Sequence, residues 1–111
     1  MTLLAGLKDL PLQTERAFRP WSYSVSHRFL VLRTWEDAQK PVLQVEFENV
    51  AAMKLRATFD SLSISKARSD REIDGFADVP EQDRRMYRTL LLSDGTHEGF
   101  VVCSRVQLVR L

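Results

Sequence analysis

Apolar and polar residues alternate along most of this chain with the period of two that is typical of a half-buried β-strand. The alternation is clearest over 21–35, 43–47, 53–59, 87–91 and 100–108, with a shorter stretch over 62–64. The polar segment 36–41 and the dipeptide Asp94-Gly95 lie between alternating stretches. Both have the composition of connections between antiparallel strands, so each predicts a hairpin.

The alternating stretches add up to six or seven strands, with at most one or two short helices. This pattern predicts a mainly β fold, either an antiparallel β-sandwich or a partly closed barrel, and it leaves that choice open. Residues 21–111 are expected to form a single antiparallel β domain. The aromatic residues are spread over most of the strands, so we expect most of them to lie in one shared core.

Residues 1–20 contain two prolines and no sustained period, and they are predicted to be a lead-in segment. A short helix would place four leucines on one face: Leu3, Leu4, Leu7 and Leu10.

Composition argues against a membrane partner and makes nucleic acid an unlikely one, although local charged patches stay open. The chain of 111 residues carries 16 basic and 15 acidic residues, a net charge of +1, so no overall field attracts nucleic acid or an anionic membrane. No apolar run is long enough for a signal peptide or a membrane span. Cys103 is the one cysteine, which excludes an internal disulfide, and it is predicted to be an inert thiol. We therefore expect a cytoplasmic protein and leave a homodimer open.

Motifs for catalysis are missing from the sequence. There is no Gly-x-Ser-x-Gly turn and no glycine-rich phosphate loop, and His27 and His97 belong to no closely spaced metal-ligand pair. The expectation is a protein with no catalytic residues, no metal and no cofactor.

The segment 66–85 is polar, contains Gly75 and Pro80, and is predicted to be a long acidic loop. Between positions 70 and 83 it has six carboxylates and one arginine, so its charge is segregated. Phe76 within it is either a core anchor or an exposed recognition residue. The residues predicted to bind a partner are Asp70, Glu72, Asp74, Phe76, Asp78, Glu81 and Asp83.

The same loop has oxygen side chains at positions 1, 3, 5, 9 and 12 and a glycine at position 6, counted from Asp70 to Glu81. This spacing resembles the calcium loop of EF-hand proteins. However, Glu72 is longer than the residue expected at position 3, and a strand precedes the loop instead of a helix. We therefore expect weak calcium binding or none, and a solvated acidic loop as the alternative.

Two sequence runs carry a wider resemblance. The first begins at Trp21-Ser22-Tyr23 and continues to Arg33, and the second extends from Val45 through Phe47, Asn49 and Met53 to Leu55. Together, over residues 21–65, they resemble small β-rich bacterial immunity proteins of polymorphic toxin systems.

That resemblance implies a non-catalytic protein that neutralises a cognate toxin by binding it directly. An acidic loop would speed association with a basic toxin domain. Two alternatives stay open: a generic interaction or scaffold domain that self-associates, and a small-ligand-binding or enzymatic β-barrel.

Overall fold

The computed structural model describes residues 1–67 and 71–111 and shows a mainly β protein, which confirms the predicted fold class. Among the described residues there are ten short strands, more than the six or seven expected. They are β1 (Thr2–Gly6), β2 (Leu12–Thr14), β3 (Phe18–Ser24), β4 (Phe29–Thr34), β5 (Leu43–Glu48), β6 (Ala52–Lys54), β7 (Leu62–Lys66), β8 (Arg88–Ser93), β9 (Glu98–Cys103) and β10 (Arg105–Arg110).

The strands form two antiparallel sheets of five. Sheet A has the order β1-β10-β5-β4-β3, and sheet B has the order β2-β7-β8-β9-β6. The inner faces of both sheets contribute to one buried core, which makes the architecture a pair of packed sheets. Its fully buried side chains include Phe18, Leu32, Phe47, Phe59, Ile64, Leu90, Leu92 and Val101.

The chain crosses between the sheets at two neighbouring places. Asn49, with a φ of 54°, lies between β5 in sheet A and β6 in sheet B, and Ser104 lies between β9 and β10. The Ser104 amide donates to the carbonyl of Glu48 at 3.1 Å, which joins the two crossings. The alternation over 100–108 predicts one shared face for Phe100, Val102, Ser104, Val106 and Leu108. This prediction is wrong, because the core side chains are Val101 and Cys103 before Ser104 but Val106 after it.

The prediction of a lead-in segment over 1–20 also needs correction. These residues form β1, β2 and the start of β3, and the helical part is a single 3-10 turn at Leu7–Asp9. Pairing of β1 with β10 and of β2 with β7 imposes the extended form, which the local pattern alone does not indicate. As an edge strand, β1 leaves Leu3 and Leu4 exposed.

The segment 66–85, expected to be a loop, contains a helix α1 (Arg71–Ala77) and a 3-10 helix (Glu81–Met86). The helix forms because Ile73 is buried on sheet B, and tertiary packing is the usual source of stability for so short a helix. No helix within the described residues has the length and apolarity to cross a membrane.

The hairpin predicted at Asp94-Gly95 is confirmed and joins β8 to β9. Gly95 has a φ of 89°, and Asp94 Oδ1 accepts hydrogen bonds from the amides of Thr96 at 3.0 Å and His97 at 2.7 Å. These bonds lower the pKa of Asp94 to about 2, with the His97 amide as the largest cause. The hairpin sets the register that pairs Leu91 with Phe100 under α1.

Candidate binding surfaces

Helix α1 lies against the outer face of sheet B through two side chains with different roles. Ile73 is 7% exposed, whereas Phe76 is 67% exposed. The Phe76 ring meets the Phe100 ring edge to face, with centroids 5.8 Å apart and an angle of 79°. This pairing orients the ring while most of it stays in solvent. We call the exposed residues Glu72, Asp74, Phe76 and Asp78 the helix surface.

A cavity of about 510 Å³ lies between α1 and sheet B. Its walls are largely apolar, while Lys54, Glu72 and Glu98 add charge. Its volume falls within the range of sites that take up a small ligand or a few side chains. The residues that line it are Met53, Lys54, Glu72, Ile73, Phe76, Leu91, Glu98, Gly99 and Phe100.

The structure gathers most of the predicted partner-binding residues near α1. Glu72, Asp74 and Phe76 belong to the helix, Asp78 follows it with a φ of 47°, and Glu81 begins the 3-10 helix. All five are exposed, whereas Asp83 is half-buried, and Asp70 lies outside the described residues. Phe76 is not a core anchor, because Ile73 fills that role.

The arrangement of this segment is not that of a calcium loop. Residues 71–77 form a helix, and the Asp78 amide donates to the Asp74 carbonyl at 3.0 Å, so the backbone from position 2 to position 8 of the motif is helical. Within 1–67 and 71–111, no group of three or more His, Cys, Asp or Glu residues is placed to hold a metal ion.

A second surface lies on the outer face of sheet A, where the sequence predicted core residues. Trp21 is 49% exposed and Trp35 is 41% exposed, so the expectation that they belong to the core is wrong. The guanidinium carbon of Arg33 lies 4.4 Å from the centre of the Trp21 ring. That of Arg19 lies 5.3 Å from Trp21 and 4.8 Å from Trp35. We call these four residues the Trp–Arg cluster.

Strand pairing explains how the cluster forms. Arg19 in β3 is directly opposite Arg33 in β4, and opposite residues of an antiparallel pair point to the same side. A bulge between Pro20 and Ser22 shifts the register at Trp21, and such a bulge reorients a side chain locally.

A row of polar side chains continues from the cluster across sheet A. Arg33 Nε and Nη2 donate to Gln44 Oε1 at 2.9 and 2.7 Å. Gln44 Nε2 donates to Glu46 Oε2 at 2.7 Å, and Gln107 Nε2 donates to Glu46 Oε1. Gln44 and Glu46 are buried, so these bonds satisfy polar groups that would otherwise destabilise the fold.

The sequence contains a signal for the Trp–Arg cluster that the hydrophobic pattern obscured. The triplets Arg19-Pro20-Trp21 and Arg33-Thr34-Trp35 both have the form Arg-x-Trp. Residues two apart on a strand share a face, and an arginine is rarely buried without a partner. Each tryptophan therefore belongs on the arginine's outer face.

The thiol of Cys103 is buried in the core, and burial raises its pKa to about 12. It is therefore protonated at neutral pH and a poor nucleophile. His27 lies in the exposed β3–β4 turn, where its Nδ1 is 3.0 Å from Ser26 Oγ. A hydrogen bond between adjacent side chains of a turn organises that turn locally.

No family model, curated protein or solved structure matches this chain. The resemblance to immunity proteins over residues 21–65 therefore stays a prediction from the strand pattern. The helix surface and the Trp–Arg cluster are the parts of the molecule from which a function is best argued.

Proposed function

We propose that this chain is a non-catalytic binding protein of immunity type, which neutralises a cognate bacterial toxin by direct binding through the helix surface. The observation that carries this proposal is Phe76, a large apolar side chain that stays 67% exposed although Phe100 holds its ring in place. Large aromatic side chains that become buried in a pocket of the partner commonly act as hot spots of an interface.

Charge around Phe76 suits a basic partner. Asp74 and Asp78 are exposed near it, and Glu72 contributes to the cavity wall. Carboxylates around an aromatic anchor raise the association rate with a basic surface, while the desolvated ring contributes most of the affinity. A toxin cleft that binds an anionic substrate would have the required positive charge.

The test uses the protein encoded beside this chain's gene as the toxin. Production of that protein in a bacterial host should stop growth, and co-production of this chain should restore it. Titration calorimetry on the purified pair should show that Phe76→Ala weakens binding by about 2 kcal/mol or more. A neighbouring protein that is harmless, or that does not bind, would overturn the proposal.

A charge variant tests the role of the carboxylates. Asp74→Lys combined with Asp78→Lys should slow association and weaken its salt dependence. The matched control reverses two exposed acids in the connections before β3 and after β4, Glu15→Lys and Asp37→Lys, and should leave association unchanged. Equal slowing by both variants would point to overall charge instead of the helix surface.

Self-association is the second candidate, and the edge strand β1 favours it. Leu3 is 64% and Leu4 is 47% exposed on a strand with an unpaired edge, a combination that allows pairing with another strand. Sedimentation of the pure protein decides between the two: a mass that rises with concentration and falls for Leu3→Lys would favour a self-associating scaffold.

A further inference from the structure

We propose that the Trp–Arg cluster is a second binding site and that it takes up an acidic segment of a partner protein. This site lies on the outer face of sheet A, in contrast to the helix surface on sheet B. It does not depend on the proposed immunity function.

The cluster presents two cations whose charge is available. Arg33 hydrogen-bonds to the neutral amide oxygen of Gln44, and Arg19 Nε is buried with no hydrogen-bond acceptor among the described residues. Within 1–67 and 71–111, neither guanidinium forms an ion pair with a carboxylate. Two arginines held close together without a counter-charge attract an anion.

Cation–π contacts hold the guanidinium groups beside the indole rings. Arg19 is within 6 Å of the centres of both indole rings, and Arg33 is above one of them. Cation–π contacts of this kind hold a guanidinium group in place, and the N–H groups that are neither buried nor bonded to Gln44 remain to donate. One carboxylate can accept hydrogen bonds from two N–H groups of a guanidinium at once. This bidentate arrangement is the most favourable one for an ion pair between arginine and a carboxylate.

Space and access suit a peptide segment. A cavity of about 580 Å³ is lined by the cluster together with Thr34, Glu36, Val42 and Leu111. Strand β3 is an edge strand of sheet A, so an extended segment can approach the cluster from the side. Val42 and the two indole rings supply apolar contact for the side chains between the acidic ones.

Nucleic acid suits the same site less well. Bases bind single-strand sites by stacking on open aromatic faces, whereas here the protein's own arginines stack on the indoles. The guanidinium groups of Arg19 and Arg33 therefore occupy the positions over the indole rings where a base would have to stack.

The chain provides its own reporter, because its two tryptophans both belong to the cluster. The probe is an octaglutamate peptide, with octaglutamine as the neutral control, and binding is followed by tryptophan fluorescence. Octaglutamate should saturate the signal below about 1 mM, and octaglutamine should not. Arg19→Met should raise the dissociation constant about tenfold or more, because it removes one of two donors to the carboxylates.

The matched control is Arg56→Met, which removes an exposed arginine outside the cluster and should change the affinity less than about twofold. Thermal unfolding of each variant shows whether the fold is intact. The proposal would be overturned if octaglutamate at about 1 mM left the tryptophan fluorescence unchanged. It would also be overturned if Arg19→Met and Arg56→Met bound octaglutamate with equal affinity. Tighter binding of octathymidylate would assign the site to nucleic acid instead, and a fluorescence change with protein concentration alone would assign it to a second copy of the chain.

Discussion

The outer faces of the two sheets differ in what lies on them. On sheet B, α1 covers the strands through the buried Ile73 and the contact between Phe76 and Phe100. On sheet A, long side chains cover the strands: the Trp–Arg cluster at the edge and the hydrogen-bonded row from Arg33 to Gln107. One face is therefore held by apolar burial and the other by polar pairing.

This difference shows two ways in which the outer face of a β-sheet can present an exposed aromatic side chain. The inner faces carry the apolar core, so the outer faces need only avoid unsatisfied polar groups. On both faces an exposed aromatic ring contacts neighbouring side chains, Phe100 on sheet B and arginines on sheet A, and remains open to a partner. The surrounding charges are opposite in sign, acidic at the helix surface and basic at the cluster.

The largest expected effect on the free energy of unfolding distinguishes the buried anchor of α1, Ile73, from the exposed recognition residue, Phe76. Ile73→Ala should lower the free energy of unfolding by about 2–4 kcal/mol, because it removes a buried side chain that attaches the helix to sheet B. Phe76→Ala should lower it by only about 0.5–1.5 kcal/mol, the value of the ring pair. Urea unfolding measures both. A larger loss for Phe76→Ala would place that residue in the core.

The next effect tests the polar row on sheet A. Glu46→Ala should lower the free energy of unfolding by about 1.5–3 kcal/mol, because the buried amide of Gln44 and the half-buried amide of Gln107 lose a carboxylate acceptor. Glu48→Ala is the control, since the pair between Glu48 and Arg105 at 3.6 Å is solvent-exposed and contributes about 0–1 kcal/mol. Urea unfolding measures both variants. Equal losses of unfolding free energy would show that the hydrogen bonds of the row stabilise the fold no more than an exposed ion pair does.

A smaller effect of opposite sign is expected at Gly75 in α1. Gly75→Ala should raise the free energy of unfolding by about 0.5–1 kcal/mol, because the position is helical and a Cβ there meets no atom within 4 Å. Gly99 in sheet B is the opposite case, because a Cβ at this position would collide with the carbonyl oxygen of Lys54. Gly99→Ala should therefore be destabilising, and a gain there would contradict the close approach of β6 to β9.

Local periodicity predicted the fold class and the hairpin at Asp94, because alternation and turn chemistry are properties of neighbouring residues. It did not predict the crossings at Asn49 and Ser104, where the chain changes sheets and each run of alternation is divided between sheet A and sheet B. Strand β1 was missed for a related reason, since pairing with β10, about a hundred residues away, makes it extended.

The candidate sites were predicted unequally. Phe76 and its carboxylates stood out because an apolar residue in an acidic segment is conspicuous. Trp21 and Trp35 were not recognised as surface residues. An alternating pattern is the same whether its aromatic residues face the core or the solvent. The residue two positions earlier, Arg19 or Arg33, indicates that the tryptophan lies on the outer face. The bulge at Trp21 then changes the orientation of that side chain.

The smallest expected effect concerns Arg19, where two contributions oppose each other. Arg19→Met removes two cation–π contacts, each of about 0.5–1 kcal/mol at an exposed site. It also removes the buried Nε, a donor without an acceptor among the described residues, whose burial costs about 1–3 kcal/mol. The two terms nearly cancel, so the free energy of unfolding should change by less than about 1 kcal/mol.

Arg33→Met is the matched variant that makes this balance testable. It removes one cation–π contact and both hydrogen bonds to Gln44 Oε1, and it leaves that buried amide oxygen without its donors. The expected loss is about 1.5–3 kcal/mol, larger than for Arg19→Met. If urea unfolding gives the reverse order, Arg19 is a structural residue of sheet A. If it gives the expected order, Arg19 contributes little to folding, and its position between two exposed indole rings is better explained by binding.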